Sequence, residues 1–272
     1  MSSPIAAVAS GSYERGRRSV PIAEIFYSFQ GEGANLGRRA LFIRLMGCNL
    51  TCGYVRRPLS PSARAAGAMV CDTEYTWNAA KHDPSRVSRR MTLEQVWDEV
   101  CALDPATSDP LIPRVDLLVV SGGEPLLHQD AVVQLAERAA AAGMRMEIET
   151  NATIRPNHEL VTAASCVWFN AGLKLASCAI PRSRRVKPAA IRTIQNSGRA
   201  RWKFVVCGAD DLEEIAELQA EFGLTEIWLS PEGTTPAAVM EQMRSIAEPA
   251  LQRGWHLTTR QHVLIWGDER GR

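Results

Sequence analysis

Three cysteines carry the clearest chemical signal in the sequence. Cys48 and Cys52 belong to a GCNLTC segment directly after an apolar run, and Cys71 follows after a further eighteen residues. Three thiolates suit an iron–sulfur cluster with one iron left open, or an incomplete zinc site. The alternative is that Cys48 and Cys52 are simply buried apolar side chains. The spacing favours metal binding.

A Ser-Gly-Gly-Glu-Pro segment at residues 121–125 follows another apolar run. Paired glycines let a ligand approach the backbone closely, and the exposed amides can bind its polar groups. The same residues would also suit a tight turn between a strand and a helix. On its own the segment is a weak to moderate indication of a binding site.

Two further segments combine carboxylates with possible substrate contacts. In Phe29-Gln30-Gly31-Glu32-Gly33, two glycines bracket a carboxylate, and Arg44 on the next strand could bind an anion bidentately. A glycine turn and an exposed arginine would explain the same pattern. The segment EIETN at residues 147–151 places Glu149 and Asn151 at the end of a strand. An exposed pair of polar residues there would be unremarkable.

The elements that must position these residues alternate along the chain. Period and composition predict strands at 22–27, 40–46, 115–120, 144–149, 166–170, 202–207 and 226–229. Predicted helices cover 92–103, with Thr92 and Gln95 as a capping box, and 129–142, 210–222 and 236–251. This alternation predicts parallel strands in a complete or open barrel, or in a doubly wound sheet. All four motifs would then share the carboxyl edge of the sheet, where such folds hold their active sites.

Composition excludes several classes of protein. The 272 residues are 46% hydrophobic and 22% charged, with a net charge of +1. We therefore expect no nucleic-acid arm, acidic tail or polybasic anchor. No apolar run approaches the roughly 18 residues of a membrane helix, and the N-terminal segment does not resemble a secretory signal. We expect a cytoplasmic protein, in which clustered cysteines are metal ligands or catalytic groups rather than disulfides.

We expect one domain. Residues 1–21 are predicted to be a flexible leader and residues 22–272 a single α/β domain. The domain is interrupted by an insertion at about 53–70, which contains two prolines and three arginines and lacks a persistent period.

These motifs together resemble the radical S-adenosylmethionine superfamily. The Cys-x3-Cys pair after a first barrel strand and the Gly-Gly-Glu-Pro segment carry that resemblance. The strings FYSFQGEGANLGRRALFIRLMGCNLTC and CDTEYTW, with EIETN, LSPEGTT and a late Thr-Arg-x-His, resemble one of its families, the 7-carboxy-7-deazaguanine synthases. The resemblance runs from about residue 22 to the end of the sequence.

The resemblance implies a fold and a reaction. The fold would be a modified, partial (β/α) barrel of the radical S-adenosylmethionine type, usually in a homodimer. A [4Fe-4S] cluster, reduced by a donor such as flavodoxin or ferredoxin, would cleave S-adenosylmethionine to a 5′-deoxyadenosyl radical. That radical would take a hydrogen from 6-carboxy-5,6,7,8-tetrahydropterin. With Mg2+ present, ring contraction would release ammonia and form 7-carboxy-7-deazaguanine, in 7-deazapurine (queuosine-type) biosynthesis.

The resemblance also assigns residues. The cluster would be held by Cys48, Cys52 and Cys71, and Mg2+ by Thr73. Substrate contacts would come from Phe29, Gln30, Gly31, Arg44 and Ser121. S-adenosylmethionine contacts would come from Gly123, Gly172, Leu173, Lys174, Ser230, Pro231, Glu232 and Gly233. Glu149 and His262 would be catalytic groups near the radical path.

The sequence departs from the family pattern at two places. The family usually has Cys-x3-Cys-x2-Cys, and we prefer Cys71 as the third ligand because CDTEYTW follows it in register. Gly172 and Leu173 stand where Ser-Pro is usual, while Lys174 is retained. Cys178 is an additional candidate ligand. The basic run at 182–187 would be a solvated loop or a contact for an acidic reductant.

Two other functions remain open from the sequence. One is a different radical S-adenosylmethionine enzyme, such as a glycyl-radical activase, although that class has no reason to carry QGEG with CDTxYTW. The other is a non-catalytic iron–sulfur or zinc protein, which a fourth protein ligand on the metal would favour.

Overall fold

The computed structural model describes residues 19–53, 71–163, 165–267 and 269–272. Most of the expected leader and all of the expected insertion except Gly53 lie outside the described residues. The division into a leader, one domain and an insertion therefore stays a prediction. The first strand begins at Val20, two residues before the predicted start.

Nine strands form one sheet in the described part of the chain. They are β1 (Val20–Phe29), β2 (Arg39–Leu45), β3 (Arg89–Met91), β4 (Leu117–Gly122), β5 (Arg145–Thr150), β6 (Val167–Ala171), β7 (Ala200–Val206), β8 (Ile227–Pro231) and β9 (His256–Leu257). Each of the seven predicted strands is present within two residues of its predicted bounds. The short strands β3 and β9 were not predicted.

The helices lie between these strands. They are α1 (Pro84–Val87), α2 (Leu93–Leu103), α3 (Gln129–Ala141), α4 (Arg182–Arg185), α5 (Pro188–Asn196), α6 (Ala209–Phe222), α7 (Pro236–Gln252) and α8 (Gln261–Trp266). Short 3-10 turns cover Gly33–Asn35, Glu74–Thr76, Pro105–Thr107, Pro125–His128 and Ala176–Cys178, and a π turn covers Glu159–Ala163. The capping box of Thr92 and Gln95 is present at the start of α2, as predicted.

The order of the strands defines an open barrel. The sheet runs β3-β1-β2-β4-β5-β6-β7-β8-β9, so the strand order does not reverse after β2 as it would in a doubly wound sheet. From β2 onward each neighbouring pair is parallel. The prediction of parallel strands is wrong for β1, which pairs antiparallel with both β2 and β3. Residues 30–38 connect β1 to β2 without a crossover helix, which allows the antiparallel pairing.

Alternation along the strands separates an apolar outer face from a polar inner face. In β5, Met146 and Ile148 belong to the main core, while Glu147 and Glu149 lie on the opposite face. In β7, Trp202 and Phe204 are fully buried in the same core, and Lys203 faces inward. The helices cover the outer face. None of those in the described segments is long and apolar enough to cross a bilayer.

Candidate active site

A cavity of about 660 Å³ opens at the carboxyl edge of the parallel strands. It is lined by every residue assigned above to the site except Ser230, Pro231 and Gly233. The fold therefore brings the cysteine segment, the QGEG segment, the Gly-Gly turn and the end of β5 to one space.

The cysteine loop, the Gly-Gly turn and the end of β5 lie at the carboxyl edge of the parallel strands, as expected. The expectation is wrong for the QGEG segment, because β1 runs antiparallel and its last residue, Phe29, pairs with Arg39 at the start of β2. Gln30, Gly31 and Glu32 line the cavity from that opposite edge.

Backbone hydrogen bonds hold the cysteine loop against the Gly-Gly turn. The amide of Glu124 donates to the carbonyl of Gly47 at 2.8 Å, and the amide of Gly123 donates to Leu45 at 3.1 Å. A Cβ on Gly123 would lie 2.1 Å from the Gly47 carbonyl oxygen. Glycine is required there because the two loops touch through their backbones.

The Glu124 carboxylate also holds the Gly-Gly turn in place through hydrogen bonds. It is fully buried and accepts from the amide of Asn151 at 2.7 Å, the amide of Leu126 at 2.9 Å and the hydroxyl of Thr150 at 2.8 Å. Burial raises its pKa, against the effect of these hydrogen bonds. The Gly-Gly-Glu-Pro string is thus explained structurally, with the glutamate as an anchor between β4 and β5.

The three predicted cluster ligands are thiols facing the same cavity. Burial raises the pKa of Cys48 to about 11 and also raises that of Cys71. The indole Nε1 of Trp77 donates to Cys71 Sγ at 3.4 Å, and Asn151 Nδ2 lies 3.8 Å from Cys48 Sγ. Lys174 is the nearby cation, and the Cys52 and Cys71 thiolates raise its pKa although burial acts to lower it.

Cys178 lies beside Cys52, the second of the predicted cluster ligands. Cys52 and Cys178 are hydrogen bonded to each other and pack with Leu50 and Ile180 in a small apolar cluster. This contact, with burial, raises the pKa of Cys52. Cys178 is fully buried and also donates to the Leu175 carbonyl at 2.9 Å. The sequence placed Cys178 only as a loop residue and an additional candidate ligand.

The donor set fits an iron–sulfur cluster. Cys48, Cys52 and Cys71 are soft ligands on one cavity, and thiolates of this kind select iron–sulfur centres. Among the residues that the structure describes, no group of three His, Cys, Asp or Glu side chains is arranged for a single metal ion.

Glu149 lies at the centre of the cavity wall. Its carboxylate accepts from Ser121 Oγ at 2.7 Å and from Gln30 Nε2 at 3.3 Å, and Lys203 Nζ is 3.6 Å away. Burial acts to raise the pKa of Glu149, but Lys203 and the Ser121 hydrogen bond hold it below its usual value. The carboxylate is therefore ionised at neutral pH.

Glu147 lies deeper on the same face of β5. It accepts from Gln30 Nε2 at 2.7 Å, from Asn170 Nδ2 at 2.8 Å and from Asn35 Nδ2. Burial and the neighbouring Glu149 charge raise its pKa. Gln30, assigned to substrate, thus has its amide nitrogen shared between two glutamates.

Glu32 of the QGEG segment is enclosed by cations. Lys203 Nζ lies 2.9 Å from Oε2 of Glu32, and Arg260 Nε lies 2.9 Å from Oε1. Ser230 Oγ donates to Oε2 at 3.2 Å. Burial acts to raise the pKa of Glu32, but Lys203 and Arg260 hold it well below 4.5. His262 Nε2 is 4.0 Å from the same carboxylate, and burial lowers the pKa of that imidazole.

Arg260 joins three of the functional loops. Its Nε contacts Glu32, its Nη1 donates to the Gly233 carbonyl at 2.9 Å, and its Nη2 contacts Asp72 at 2.7 Å. These partners belong to the QGEG segment, the LSPEG segment and the Cys71-Asp72-Thr73 segment. Arg260 is buried, so these three hydrogen bonds fix the loops relative to one another.

Arg44 lies on β2 at the wall of the cavity. Its Nε donates to Glu24 Oε2 at 2.9 Å, and its guanidinium lies over the Phe26 ring at 5.7 Å. Phe29 is 40% exposed and stacks on Trp266 with ring centroids 6.3 Å apart. Gly31 lies against His262, whose Nδ1 would be 2.3 Å from an added Cβ.

The predicted cofactor residues divide into two groups. Gly172, Leu173 and Lys174 follow β6 and line the cavity, as does Glu232 after β8. Of the other three residues of that segment, Ser230 is fully buried with its hydroxyl on Glu32. Ser230 does not line the cavity, but its hydroxyl helps to position the Glu32 carboxylate, which does.

Several residues of the site were missed from the sequence. They are Glu32, Glu147, Lys203, Arg260, Asp72, Asn35 and Asn170. One usable signal existed for two of them, since Glu147 and Lys203 are charged residues inside otherwise apolar strands. Glu32, Asn35, Asp72 and Arg260 lie within the motifs that carried the resemblance but were given no role, and Asn170 carries no local signal.

The fold and the site together define a radical S-adenosylmethionine class of protein. The crystal structure of QueE from Escherichia coli superposes with a TM-score of 0.64 at 23% identity, over 93% of this chain and 100% of that chain. This likeness confirms the partial-barrel fold. No family model matches the chain.

Curated relatives identify the family. A 7-carboxy-7-deazaguanine synthase from Halobacterium salinarum is 31% identical, over 92% of this chain and 91% of the relative. One from Pyrobaculum aerophilum is also 31% identical, over 93% and 97%. The chain belongs to the 7-carboxy-7-deazaguanine synthase family of radical S-adenosylmethionine enzymes, which use S-adenosylmethionine and a [4Fe-4S] cluster. This membership disfavours the glycyl-radical activase and the non-catalytic alternatives.

Proposed function

We propose that the chain catalyses the radical-mediated ring contraction of 6-carboxy-5,6,7,8-tetrahydropterin to 7-carboxy-7-deazaguanine, with release of ammonia, in 7-deazapurine biosynthesis. The observation that carries this proposal is the shared cavity. Three thiols line one part of it, and Arg44 with Glu149 of β5 lines another. One space can therefore hold the cofactor and an anionic, nitrogen-rich substrate side by side.

Cys48, Cys52 and Cys71 would hold the cluster, and the bound cluster with S-adenosylmethionine would supply a carbon-centred radical. The chain's own residues orient the reactants and keep water out. Gly123 and the 172–174 segment offer backbone groups and the Lys174 cation beside the thiols. Glu232 offers a carboxylate at the same cavity wall.

The polar wall matches the substrate class. A tetrahydropterin carries several N–H donors, and the ionised Glu149 is an acceptor held in place by Ser121 and Lys203. The substrate carboxylate would pair with Arg44, whose guanidinium can bind a carboxylate through two parallel hydrogen bonds. Phe29, Gln30 and Gly31 would complete the pocket, and His262 would lie beside the substrate.

Mg2+ is proposed as a second metal, with Thr73 as its protein ligand. The Thr73 hydroxyl lines the cavity and lies 3.6 Å from Cys71 Sγ and 3.5 Å from the Gly122 carbonyl oxygen. A hydroxyl oxygen with substrate oxygens and waters is the set of hard ligands that Mg2+ prefers.

The electron donor is proposed to be an acidic flavodoxin or ferredoxin. Support comes from exposed Arg184, which donates to the Asn49 carbonyl between Cys48 and Cys52 at 3.2 Å. Arg184 belongs to the basic run at 182–187, for which the expectation of a solvated loop is wrong, because residues 182–185 form α4 and Arg185 is buried beside Glu214. Charge complementarity would steer such a donor to the cluster side of the barrel. We also propose a cytoplasmic homodimer, which the family resemblance supports and light scattering on the reconstituted protein would test.

An anaerobic assay tests the activity. Protein reconstituted with iron and sulfide is given S-adenosylmethionine, reductant and 6-carboxytetrahydropterin, and the products are identified by mass spectrometry. The proposal predicts 7-carboxy-7-deazaguanine and ammonia in equal amounts. Cys71→Ala should lose cluster iron, with Cys101→Ala as the control. Turnover of an unrelated substrate alone would contradict the proposal.

A further inference from the structure

We propose that Arg270 is a positioning residue for the substrate carboxylate, which it serves by occupying one oxygen of Glu24 and so leaving Arg44 available to the substrate. The proposal rests on the proposed function for the identity of the carboxylate. It concerns a side chain that neither the motifs nor the family resemblance assigned.

The contacts of Glu24 divide cleanly between its two oxygens. Arg270 Nε and Nη2 lie 2.9 and 2.8 Å from Oε1. Arg44 Nε lies 2.9 Å from Oε2, and Tyr75 donates its hydroxyl to that same oxygen at 2.8 Å. Glu24 therefore engages Arg44 through Nε, and the two Nη nitrogens of Arg44 remain for a ligand on the cavity side.

Arg270 is held in this position by a second contact. Its guanidinium lies 3.6 Å from the centroid of the Tyr75 ring, which is the distance of a stacked cation–π pair. Residues 269–272 line the cavity. Arg270 thus lines the substrate space, while its partner Glu24 does not.

Charge makes the arrangement selective for an anion. Glu24, Arg44 and Arg270 carry one negative and two positive charges, and the Glu24 and Arg44 side chains are only 15% and 19% exposed. Arg44 and Arg270 hold the pKa of Glu24 low although burial acts to raise it, so the carboxylate stays ionised. The group has a net charge of +1, which one substrate carboxylate neutralises.

Without Arg270 this balance changes. Glu24 and Arg44 would form a neutral pair, and the free Glu24 oxygen could take a second N–H of Arg44 in the bidentate geometry that such pairs favour. The substrate would then compete with an internal carboxylate for the same guanidinium. Substrate affinity should fall, while the chemical step, which involves other groups, should change little.

The test compares Arg270→Met, Glu24→Gln and the double variant in anaerobic steady-state assays of the reconstituted holoenzyme. Arg270→Met should raise KM for 6-carboxytetrahydropterin about tenfold or more and leave kcat within about twofold, since one charge-assisted contact is weakened. Adding Glu24→Gln restores the net charge of +1 and should bring KM back to within about threefold of wild type.

Arg253→Met is the matched control. Arg253 also combines one carboxylate, Glu213 at 2.5 Å, with one aromatic ring, Trp255 at 5.5 Å, and it lies outside the cavity. Its substitution should leave KM unchanged. A KM increase in Arg270→Met that Glu24→Gln does not reverse would overturn the proposal, because it would indicate direct substrate binding by Arg270 or a distorted pocket.

The proposed function and this inference fail in different ways. If wild type does not convert 6-carboxytetrahydropterin, both are overturned. If wild type converts it and Arg270→Met has an unchanged KM, only the role of Arg270 is overturned. Substrate-independent release of 5′-deoxyadenosine gives a second readout. That release should be equal in wild type and Arg270→Met, and a loss of it would contradict a role confined to the substrate.

Discussion

Arg260 and Asp72 are 188 residues apart in the sequence and form an ion pair with 2.7 Å between Nη2 and Oδ2. Asp72 lies between Cys71, a proposed cluster ligand, and Thr73, the proposed Mg2+ ligand. The same guanidinium holds Glu32 and the Gly233 carbonyl. The buried side chain of Arg260 therefore fixes the QGEG segment relative to the segment that carries both proposed metal ligands, Cys71 and Thr73.

Replacing Arg260 by Lys should keep the positive charge but remove the planar guanidinium with its several N–H donors. A lysine ammonium cannot span three partners in the plane of a guanidinium, so at least one loop should be released. We expect kcat/KM to fall by about 100-fold, since misplacement near 1 Å has this effect. The cluster content, measured as iron per chain, should remain above that of Cys71→Ala.

The control for this substitution is Arg253→Lys, which changes an arginine outside the cavity. A shift in the electron paramagnetic resonance spectrum of the reduced cluster on adding S-adenosylmethionine provides a separate readout. It should weaken in Arg260→Lys if the Gly233 loop has moved. An unchanged spectrum and unchanged kinetics would show that the loops are held without Arg260.

Gly123→Ala should separate the Gly-Gly turn from the cysteine loop. The new Cβ would lie 2.1 Å from the backbone oxygen of Gly47, and a backbone atom cannot turn aside as a side chain can. We expect a loss of roughly 3 kcal/mol in the free energy of unfolding, within the range for severe backbone clashes. Anaerobic urea unfolding measures this loss, and cluster content should fall with it.

Gly208→Ala is the comparison for that experiment. Gly208 precedes α6 in an extended conformation, and an added Cβ meets no atom within 4 Å. Its substitution should change the unfolding free energy by less than about 1 kcal/mol. Equal effects at the two glycines would contradict the close approach at Gly123.

Local signals in the sequence were enough to predict the motifs and the edge of the sheet that three of them share. Periodicity and capping residues act over a few positions, so the seven long strands and the helix starting after Thr92 were predicted. A two-residue hydrophobic period indicates a strand but not the direction in which the strand runs in the sheet. The antiparallel pairing of β1 was therefore missed. The helix α5 was missed for a different reason, because it begins at Pro188 directly after the basic run.

The ion-pair network of the cavity could not be predicted in the same way. Glu32 and Arg260 are 228 residues apart and meet only because the open barrel curves β8 and the segment after β9 toward the start of the chain. Glu32 was noticed only as a carboxylate between two glycines. Nothing in its neighbourhood indicates that Lys203, on β7, supplies its second cation.

Glu147→Gln should destabilise the cavity wall. Glu147 is an acceptor for three side-chain amides, from Gln30, Asn35 and Asn170. A glutamine would place its own NH2 group against at least one of them and leave a buried donor unsatisfied. We expect a loss of about 1–3 kcal/mol in the free energy of unfolding.

Chemical unfolding under anaerobic conditions checks this loss, with Glu213→Gln as the control. The Glu213 side chain is 71% exposed and pairs only at the surface, so its change should have little effect. Because Gln30 also reaches Glu149, KM for the pterin should rise in Glu147→Gln. Unfolding free energies that match wild type would indicate that Glu147 is protonated and already acts as a donor.

The stabilisation that Glu32 provides should not depend on pH near neutrality. Its pKa in the folded protein lies well below 4.5 because Lys203 and Arg260 surround it, even though burial acts in the opposite direction. A carboxyl group with a lowered folded pKa stabilises the protein above its unfolded pKa. That stabilisation is lost as the pH falls toward the folded value. In a His262→Gln background, which removes the imidazole that Glu32 influences, the difference in unfolding free energy made by Glu32→Gln should therefore stay constant from about pH 8 to about pH 5.5.

Urea unfolding of both proteins across this pH range measures the difference, and taking the difference cancels groups that titrate equally in both. Below about pH 4.5 it should decline, since protonation in the unfolded chain begins to compete. A difference that instead grows as the pH falls from about pH 7 to about pH 6 would place the folded pKa of Glu32 above its unfolded value, which is too high for a carboxylate held by two cations. In that case Lys203 would have to be neutral or displaced in solution, and Lys203→Met would then leave the pH profile of wild type unchanged.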